Sequence, residues 1–297
     1  MMRHLVHMEL EKAFCSRWFA VALGAACAVA VASAMDSIMY YFATFSNLAQ
    51  GDAEYWIGMS PLSSYAASIV VGSLSRGPWR ELYRYLVPLL MFVPFVWTLR
   101  SELNSGYINQ VLTRSRRSSY LWAKGFAVFT SAFMVIAVSL LLNFVILSCA
   151  LPGYQLTSAD VLYLGVTVSD MWAGLFYTRP VAYILLNALY TSVCLASVAV
   201  LVLAVSSLVK SPAILTIGSY IALLFVKYVN DNIVFVLAGN IRGFVFDPID
   251  FLLVQGSSFY TRDALVMAVV AVGCLLVSLF IFMLTRRRDV LCDSSDV

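Results

Sequence analysis

The chain has 297 residues, of which 62% are hydrophobic and 12% are charged, and its formal net charge is +3. With a mean hydropathy of +0.87 it carries more apolar surface than a soluble domain of this length can bury, which excludes that class. We therefore expect a single all-α transmembrane domain, residues 1–297, that crosses the membrane as six helices.

The first 17 residues are predicted to form an amphipathic helix on the inner membrane surface. Val6, Leu10 and Phe14 recur at helical spacing, whereas His7 and Glu11 occupy other faces. A helix with this pattern lies in the membrane interface with its apolar side toward the lipid.

Six apolar runs are predicted to cross the membrane. A hydrocarbon core roughly 30 Å thick requires about 20 residues of helix, and the backbone groups inside it must be paired within that helix. Pro88 and Pro94 lie in the second run and predict kinks there. The runs are approximately Trp18–Met35, Leu82–Leu99, Gly125–Leu151, Val181–Val209, Ala213–Val229 and Ala264–Thr285.

A charged island, residues 100–124, separates the second run from the third. Its cations indicate a cytoplasmic loop, since short cytoplasmic loops collect Lys and Arg. With six spans, the same rule places both termini in the cytoplasm. The cations of the island are Arg100, Arg114, Arg116, Arg117 and Lys124.

The island is also predicted to contain a short amphipathic helix. Leu103, Tyr107 and Val111 recur at helical spacing, and uncharged polar residues cover much of the other face. Gly106 lies within this pattern and permits either a bend or the close approach of another group.

The apolar segment before the last run, residues 233–259, is interrupted by glycines, charges and a proline. We expect it to dip into the outer leaflet as a helix pair broken near Pro248, and an ordinary outer loop is the alternative. Lys227 and Asp231 lie four positions apart at the outer boundary, where they are predicted to form a structural ion pair. A proton relay is the other interpretation of this pair.

Motifs for catalysis are missing from the sequence. It contains no G-x-x-x-x-G-K-[ST], H-E-x-x-H or G-x-S-x-G pattern. Its six cysteines show no metal-ligand spacing, and the i, i+3 pair His4 and His7 could bind a metal but lacks carboxylate or thiolate support, which favours a solvated surface pair. We therefore expect no catalytic residue, cofactor or metal site in this chain, and no ATP binding through a P-loop.

The order of these features resembles the permease subunit of ABC type-2 transporters. The resemblance covers the whole chain, from the amphipathic lead helix to the basic tail. It departs from the family pattern at Ser115 and Arg116, where many members have a proline. The matching residues between the second and third spans are Glu102, Gly106, Leu112, Arg117 and Lys124.

The resemblance implies a dimeric permease in the plasma membrane of a bacterium, moving substrate by alternating access and acting as an exporter. Its partners would be a second permease copy or homologue, membrane lipid and a separate ATPase subunit that carries ATP and magnesium, with no nucleic acid. Glu102 and Gly106 would lie in a coupling helix, and Arg117 and Lys124 would anchor its return to the membrane. The lead-helix residues that would edge the ATPase contact are Glu9, Glu11 and Lys12.

Other interpretations of the same features are open. Glu102 and the arginines of the island would then only solvate a loop. The alternative functions are an ATP-independent channel, sensor or scaffold, or an intramembrane enzyme with polar side chains converging inside the bundle.

Overall fold

The computed structural model describes residues 2–49, 64–65, 78–112, 117–153, 171–207, 209, 211–234, 243–244, 246–252, 260–261 and 263–286. Almost all of this part of the chain is helical. The α-helices are α1 (Met2–Phe14), α2 (Arg17–Ala49), α3 (Trp79–Leu90), α4 (Thr98–Asn104), α5 (Tyr107–Leu112), α6 (Arg117–Ala150), α7 (Ala173–Thr178), α8 (Pro180–Val205), α9 (Pro212–Tyr228) and α10 (Ala264–Arg286). A π-helical turn (Val229–Val234) extends α9, a 3-10 turn covers Asp250–Leu252, and the strands β1 (Gly243–Phe244) and β2 (Tyr260–Thr261) pair in parallel.

Five helical segments of the described chain are long and apolar enough to cross a membrane, as expected for a multi-pass membrane protein. They correspond to the predicted first, third, fourth, fifth and sixth runs. The segments are Arg17–Ala43, Ser118–Ala150, Pro180–Val205, Ile214–Asn232 and Ala264–Leu284.

The predicted lead segment is helical from Met2 to Phe14, and the first long helix is longer than predicted. A short break at Cys15 and Ser16 separates α1 from α2, and the Ser16 hydroxyl accepts a hydrogen bond from the Trp18 backbone N–H at 3.2 Å. The first apolar run was predicted to end near Met35, but the helix continues through Asp36 to Ala49. The physical reason is that neither glycine nor proline interrupts residues 36–49.

The predicted second span is broken in the middle. Helix α3 stops at Leu90, residues 91–97 form irregular turns, and α4 resumes at Thr98. Pro94 has no N–H to donate to the carbonyl of Leu90, so the helical ladder cannot continue through this point. Pro94 therefore interrupts the helix rather than only bending it, whereas Pro88 lies within α3.

This broken segment nevertheless runs along much of α6. Near its start, the Tyr83 hydroxyl lies 2.7 Å from the Ser139 hydroxyl, and near its end Glu102 accepts a hydrogen bond from the Tyr120 hydroxyl. The two contact points on α6 are about five helical turns apart, which corresponds to roughly 28 Å. The contacts of residues 79–104 with α6 therefore reach from its first turn to Ser139.

The core of the bundle lies around α6 and α8. Helix α8 packs against both α6 and α10, while α2 packs against α6 and α3. Ala22, Ala26 and Ala30 are fully buried on α2, because small side chains let the two helix backbones approach closely. Asn143 of α6 donates a hydrogen bond to the carbonyl of Ala30 at 2.9 Å across this contact.

The segment before α10 differs from the expected re-entrant helix pair in its described part. Residues 243–244 form a strand, and residues 246–252 form a turn that includes Pro248 followed by one 3-10 turn. The Asp247 carboxylate accepts the backbone N–H of Asp250 at 3.1 Å, so side-chain capping stabilises a tight turn here. The rest of the predicted segment 233–259 lies mostly outside the described residues.

Candidate functional site

Six side chains from α1, α4, α5 and α6 meet at one end of the bundle. We call this group the amino-terminal ion cluster. It unites residues that are far apart in the sequence, because α1 packs along the first turns of α6 and α4 returns to the same end. Its members are Glu9, Lys12, Glu102, Tyr107, Tyr120 and Lys124.

Lys124 lies at the centre of the cluster and its side chain is fully buried. Its ammonium group contacts the Glu102 carboxylate, the Glu9 carboxylate at 3.5 Å and the Tyr120 hydroxyl at 3.1 Å. The ring of Phe95 lies on a further side, 5.1 Å from the Nζ atom to the ring centroid. A buried ammonium group is tolerated when opposite charges and hydrogen-bond acceptors surround it in this way.

Glu9 is fully buried as well and lies between two cations. Its Oε1 atom accepts from Lys12 at 3.1 Å and its Oε2 atom from Lys124. Lys12 also donates to the Tyr107 hydroxyl at 3.2 Å and lies 3.7 Å from the Glu102 Oε1 atom. Burial lowers the pKa of Lys12, but the charges of Glu9 and Glu102 and the Tyr107 hydrogen bond outweigh burial and raise it overall. Lys12 therefore carries its charge throughout the physiological pH range.

The cluster holds two acids and two cations, so its formal charge is balanced. Removing one charged member leaves two like charges to share a single opposite charge in this site, and breaking a buried ion pair costs roughly 3–5 kcal/mol in known cases. The buried ion pairs therefore fix the positions of the lead helix, the α4–α5 region and the start of α6 relative to one another.

Four of the sequence-predicted site residues, Glu9, Lys12, Glu102 and Lys124, therefore lie together. The family resemblance implies that Glu9 edges a contact with another subunit, but its side chain is enclosed within this chain. Of these four residues, Lys12 and Glu102 are partly exposed, with 33% and 17% of their side-chain surface accessible.

The remaining predicted site residues lie outside the cluster. Gly106 joins α4 to α5 with a backbone φ of +70°, a left-handed conformation that favours glycine. Glu11 is exposed on α1, 3.6 Å from the His7 ring nitrogen. Arg117 begins α6, and its side chain is outside the described part of the structure, as are the whole residues Arg114 and Arg116.

A second charged group lies at the opposite end of the broken segment, and we call it the Asp250 cluster. Arg84 of α3 donates to the Asp250 Oδ1 atom from Nε at 2.7 Å and from Nη2. Lys227 of α9 lies 3.0 Å from Asp250 and 2.8 Å from Asp231, the residue with which the sequence predicted it to pair. The full membership is Arg84, Lys227, Asn230, Asp231, Asp247 and Asp250.

Sequence reasoning identified Lys227 and Asp231 but missed the contributions of Asp247, Asp250 and Asn230. Helical spacing reveals a pair four residues apart, whereas contacts across 23 or 166 positions leave no periodic signal. One available signal was local, since an aspartate followed by proline favours a turn capped by the carboxylate.

Among the described residues, no group of three or more His, Cys, Asp or Glu side chains is arranged to hold a metal ion. Both clusters instead pair carboxylates with ammonium or guanidinium groups, which compete with a metal for the same oxygens.

Comparison of the chain with protein-family models, with curated proteins and with solved structures found no match.

Proposed function

We propose that this chain is the membrane-spanning permease subunit of an ATP-driven transporter of the ABC type-2 kind, acting as an exporter. The supporting observation is the amino-terminal ion cluster. It ties the lead helix and the α4–α5 region to the first turns of α6 through buried charges. In the proposed mechanism, an ATPase subunit binds the α4–α5 region, and its closure moves α6 and the neighbouring spans between inward and outward access.

The proposal includes six membrane crossings, with residues 79–104 as the second. The support for this crossing is its reach along α6, from Ser139 to Tyr120. Both termini and the α4–α5 region would then face the cytoplasm of a bacterium, in agreement with the positive charges of the island. The Asp250 cluster would face outward.

The α4–α5 region offers a suitable surface for a partner subunit. Ser105 and Gln110 are exposed on it and uncharged, and the turn at Gly106 projects between the two short helices. The charged side chain that fixes the region in place, Glu102, contacts Lys124 inside the cluster instead. A second permease copy and the ATPase, which would carry the ATP and magnesium, complete the proposed assembly.

Site-specific crosslinking tests the ATPase contact. A photoreactive amino acid replaces Gln110 in the full-length protein, expressed in the membrane of its own organism, and a matched variant carries it at Met39, which is exposed on α2. We expect a crosslinked partner at position 110, identified by mass spectrometry, whose sequence contains a P-loop. The Met39 variant should not capture that protein.

Two results of this experiment would contradict the proposal. One is capture of partners at position 110 that lack any nucleotide-binding motif. The other is capture of the same ATPase at both positions, which would show that the contact is not specific to α5. The first result would favour a scaffold or sensor that works without ATP.

A further inference from the structure

Asp247 differs from the other carboxylates of the Asp250 cluster. Its side chain is fully buried, yet no cation of the described chain lies within salt-bridge distance of it. Its two hydrogen-bond donors are the Asn230 amide at 3.1 Å and the Asp250 backbone N–H at 3.1 Å. An ionised carboxylate in this position is therefore only partly compensated.

The cations nearby are already engaged with the other carboxylates. Arg84 contacts Asp250, and Lys227 is shared between Asp250 and Asp231. Because Arg84 also contacts Glu81, ionised Asp247 adds a negative charge where acids already outnumber cations. A proton on Asp247 reduces this excess of negative charge.

Asn230 suits both protonation states of its neighbour. Its Nδ2 group donates to the Asp247 Oδ1 atom, whereas its own Oδ1 atom is buried without a hydrogen-bond partner. A half rotation of this carboxamide presents the oxygen, which accepts the O–H of a protonated carboxyl. The π-helical turn Val229–Val234 places Asn230 in this position, and such turns recur at functional sites.

We propose that Asp247 and Asn230 form a proton-binding latch, which holds residues 246–252 against α3 and α9 when Asp247 is protonated and loosens them when it ionises. The latch connects three elements, because Asp250, in the same segment, contacts Arg84 on α3 and Lys227 on α9. The inference concerns the Asp250 cluster alone and is independent of the transport proposal.

The surroundings of Asp247 set the pH range of the latch. Burial, and then the negative charge of Asp250, raise the pKa of Asp247 from 3.8 to about 7. Helices α8 and α10 contribute apolar contacts and the Cys194 thiol to the neighbouring Phe251. The charged groups around Asp247 in the described chain are Glu81, Arg84, Lys227, Asp231 and Asp250.

The direction of the pH effect follows from this raised pKa. The docked segment binds the proton more tightly than the undocked one, so docking is strongest at acidic pH and weakens as pH rises toward about 7. Between about pH 6 and about pH 8, the docking equilibrium should change about tenfold.

Hydrogen–deuterium exchange of the full-length protein in lipid nanodiscs measures this change. After correction for intrinsic exchange rates, the peptide containing residues 249–252 should be about tenfold more protected at about pH 6 than at about pH 8. Asp247→Asn imitates the protonated carboxyl and should remain protected at both pH values. Glu81→Gln is the matched control, because it removes a carboxylate whose side chain is 54% exposed, and it should keep the wild-type response.

An infrared measurement on the wild-type protein supports the same conclusion without relying on a variant. The C=O stretching band of a protonated buried carboxylic acid should be present at about pH 6 and lost at about pH 8. The latch is refuted if wild-type protection is equal at the two pH values, if this band is absent at the lower one, or if Asp247→Asn retains the pH response.

Discussion

At the scale of single residues, the unusual feature of this protein is that charged side chains are fully buried. Lys124 and Glu9 are both inaccessible to solvent, and each has its opposite charge within reach. A buried ion pair adds little net stability compared with apolar packing, but breaking it is costly. Its effect is therefore to fix the relative positions of the helices that carry the charges.

Lys124→Met tests this interpretation. The substitution nearly keeps the length of the side chain but leaves Glu9 and Glu102 to share Lys12 as their one remaining cation in the cluster. We expect a loss of about 3–5 kcal/mol in unfolding free energy, measured by denaturation in mixed micelles.

The control for this variant is Glu11→Gln, which removes a charge from the exposed face of the same region and should change stability by less than about 0.5 kcal/mol. Adding Glu9→Gln to Lys124→Met should restore part of the loss, since one uncompensated charge is then removed. Equal effects of Lys124→Met and Glu11→Gln would show that the cluster has no structural role.

At the scale of elements, proline and glycine decide where the helices stop. The segment 79–104 has an apolar composition suited to one continuous span, but Pro94 divides it into α3 and α4. Gly106 then separates α4 from α5 in a left-handed conformation. Both breaks follow from local chemistry, since proline lacks a backbone N–H and glycine tolerates the left-handed conformation.

Gly106→Ala should destabilise the α4–α5 junction for a reason of backbone conformation alone. No atom lies within 4 Å of the position of the added Cβ, so steric crowding is not involved. The left-handed conformation costs an alanine about 1–2 kcal/mol, and local hydrogen exchange in residues 98–112 should increase accordingly. Gly125→Ala, within α6 and equally unobstructed, should instead leave that exchange unchanged. An unaltered exchange rate in Gly106→Ala would mean that the junction does not hold this conformation.

At the scale of the whole molecule, the two charged clusters lie at opposite ends of one segment. The amino-terminal ion cluster includes Glu102, and the Asp250 cluster includes Arg84. Because the intervening residues run along α6, movement at one end has a direct packed path to the other. Such a path gives a physical route for coupling between the two clusters. Proximity alone does not establish this coupling, which is measured as the effect of a change in one cluster on the free energy of the other.

The six-span topology can be tested with single cysteines in a background whose native cysteines are replaced. A cysteine at Ser105 should react with a membrane-impermeant thiol reagent only after cells are permeabilised, whereas one at Glu81 should react in intact cells. Both positions are well exposed, so burial does not limit the reaction. Labelling of both sites from the same side would show that residues 79–104 do not cross the membrane.

Much of the fold was accessible from the sequence, and most of the candidate site was not. Composition and apolar run length determined the membrane class and the long helices, because these properties depend on consecutive residues. The bend at Gly106 and the pairing of Lys227 with Asp231 were also local predictions. The tertiary structure alone decided that Glu9 faces Lys124, a contact across 115 positions, since the packing of α1 on α6 brings them together. The tertiary structure also decided which carboxylates lie near Asp247. A buried charge must be paired, and folding determines which partner lies beside it.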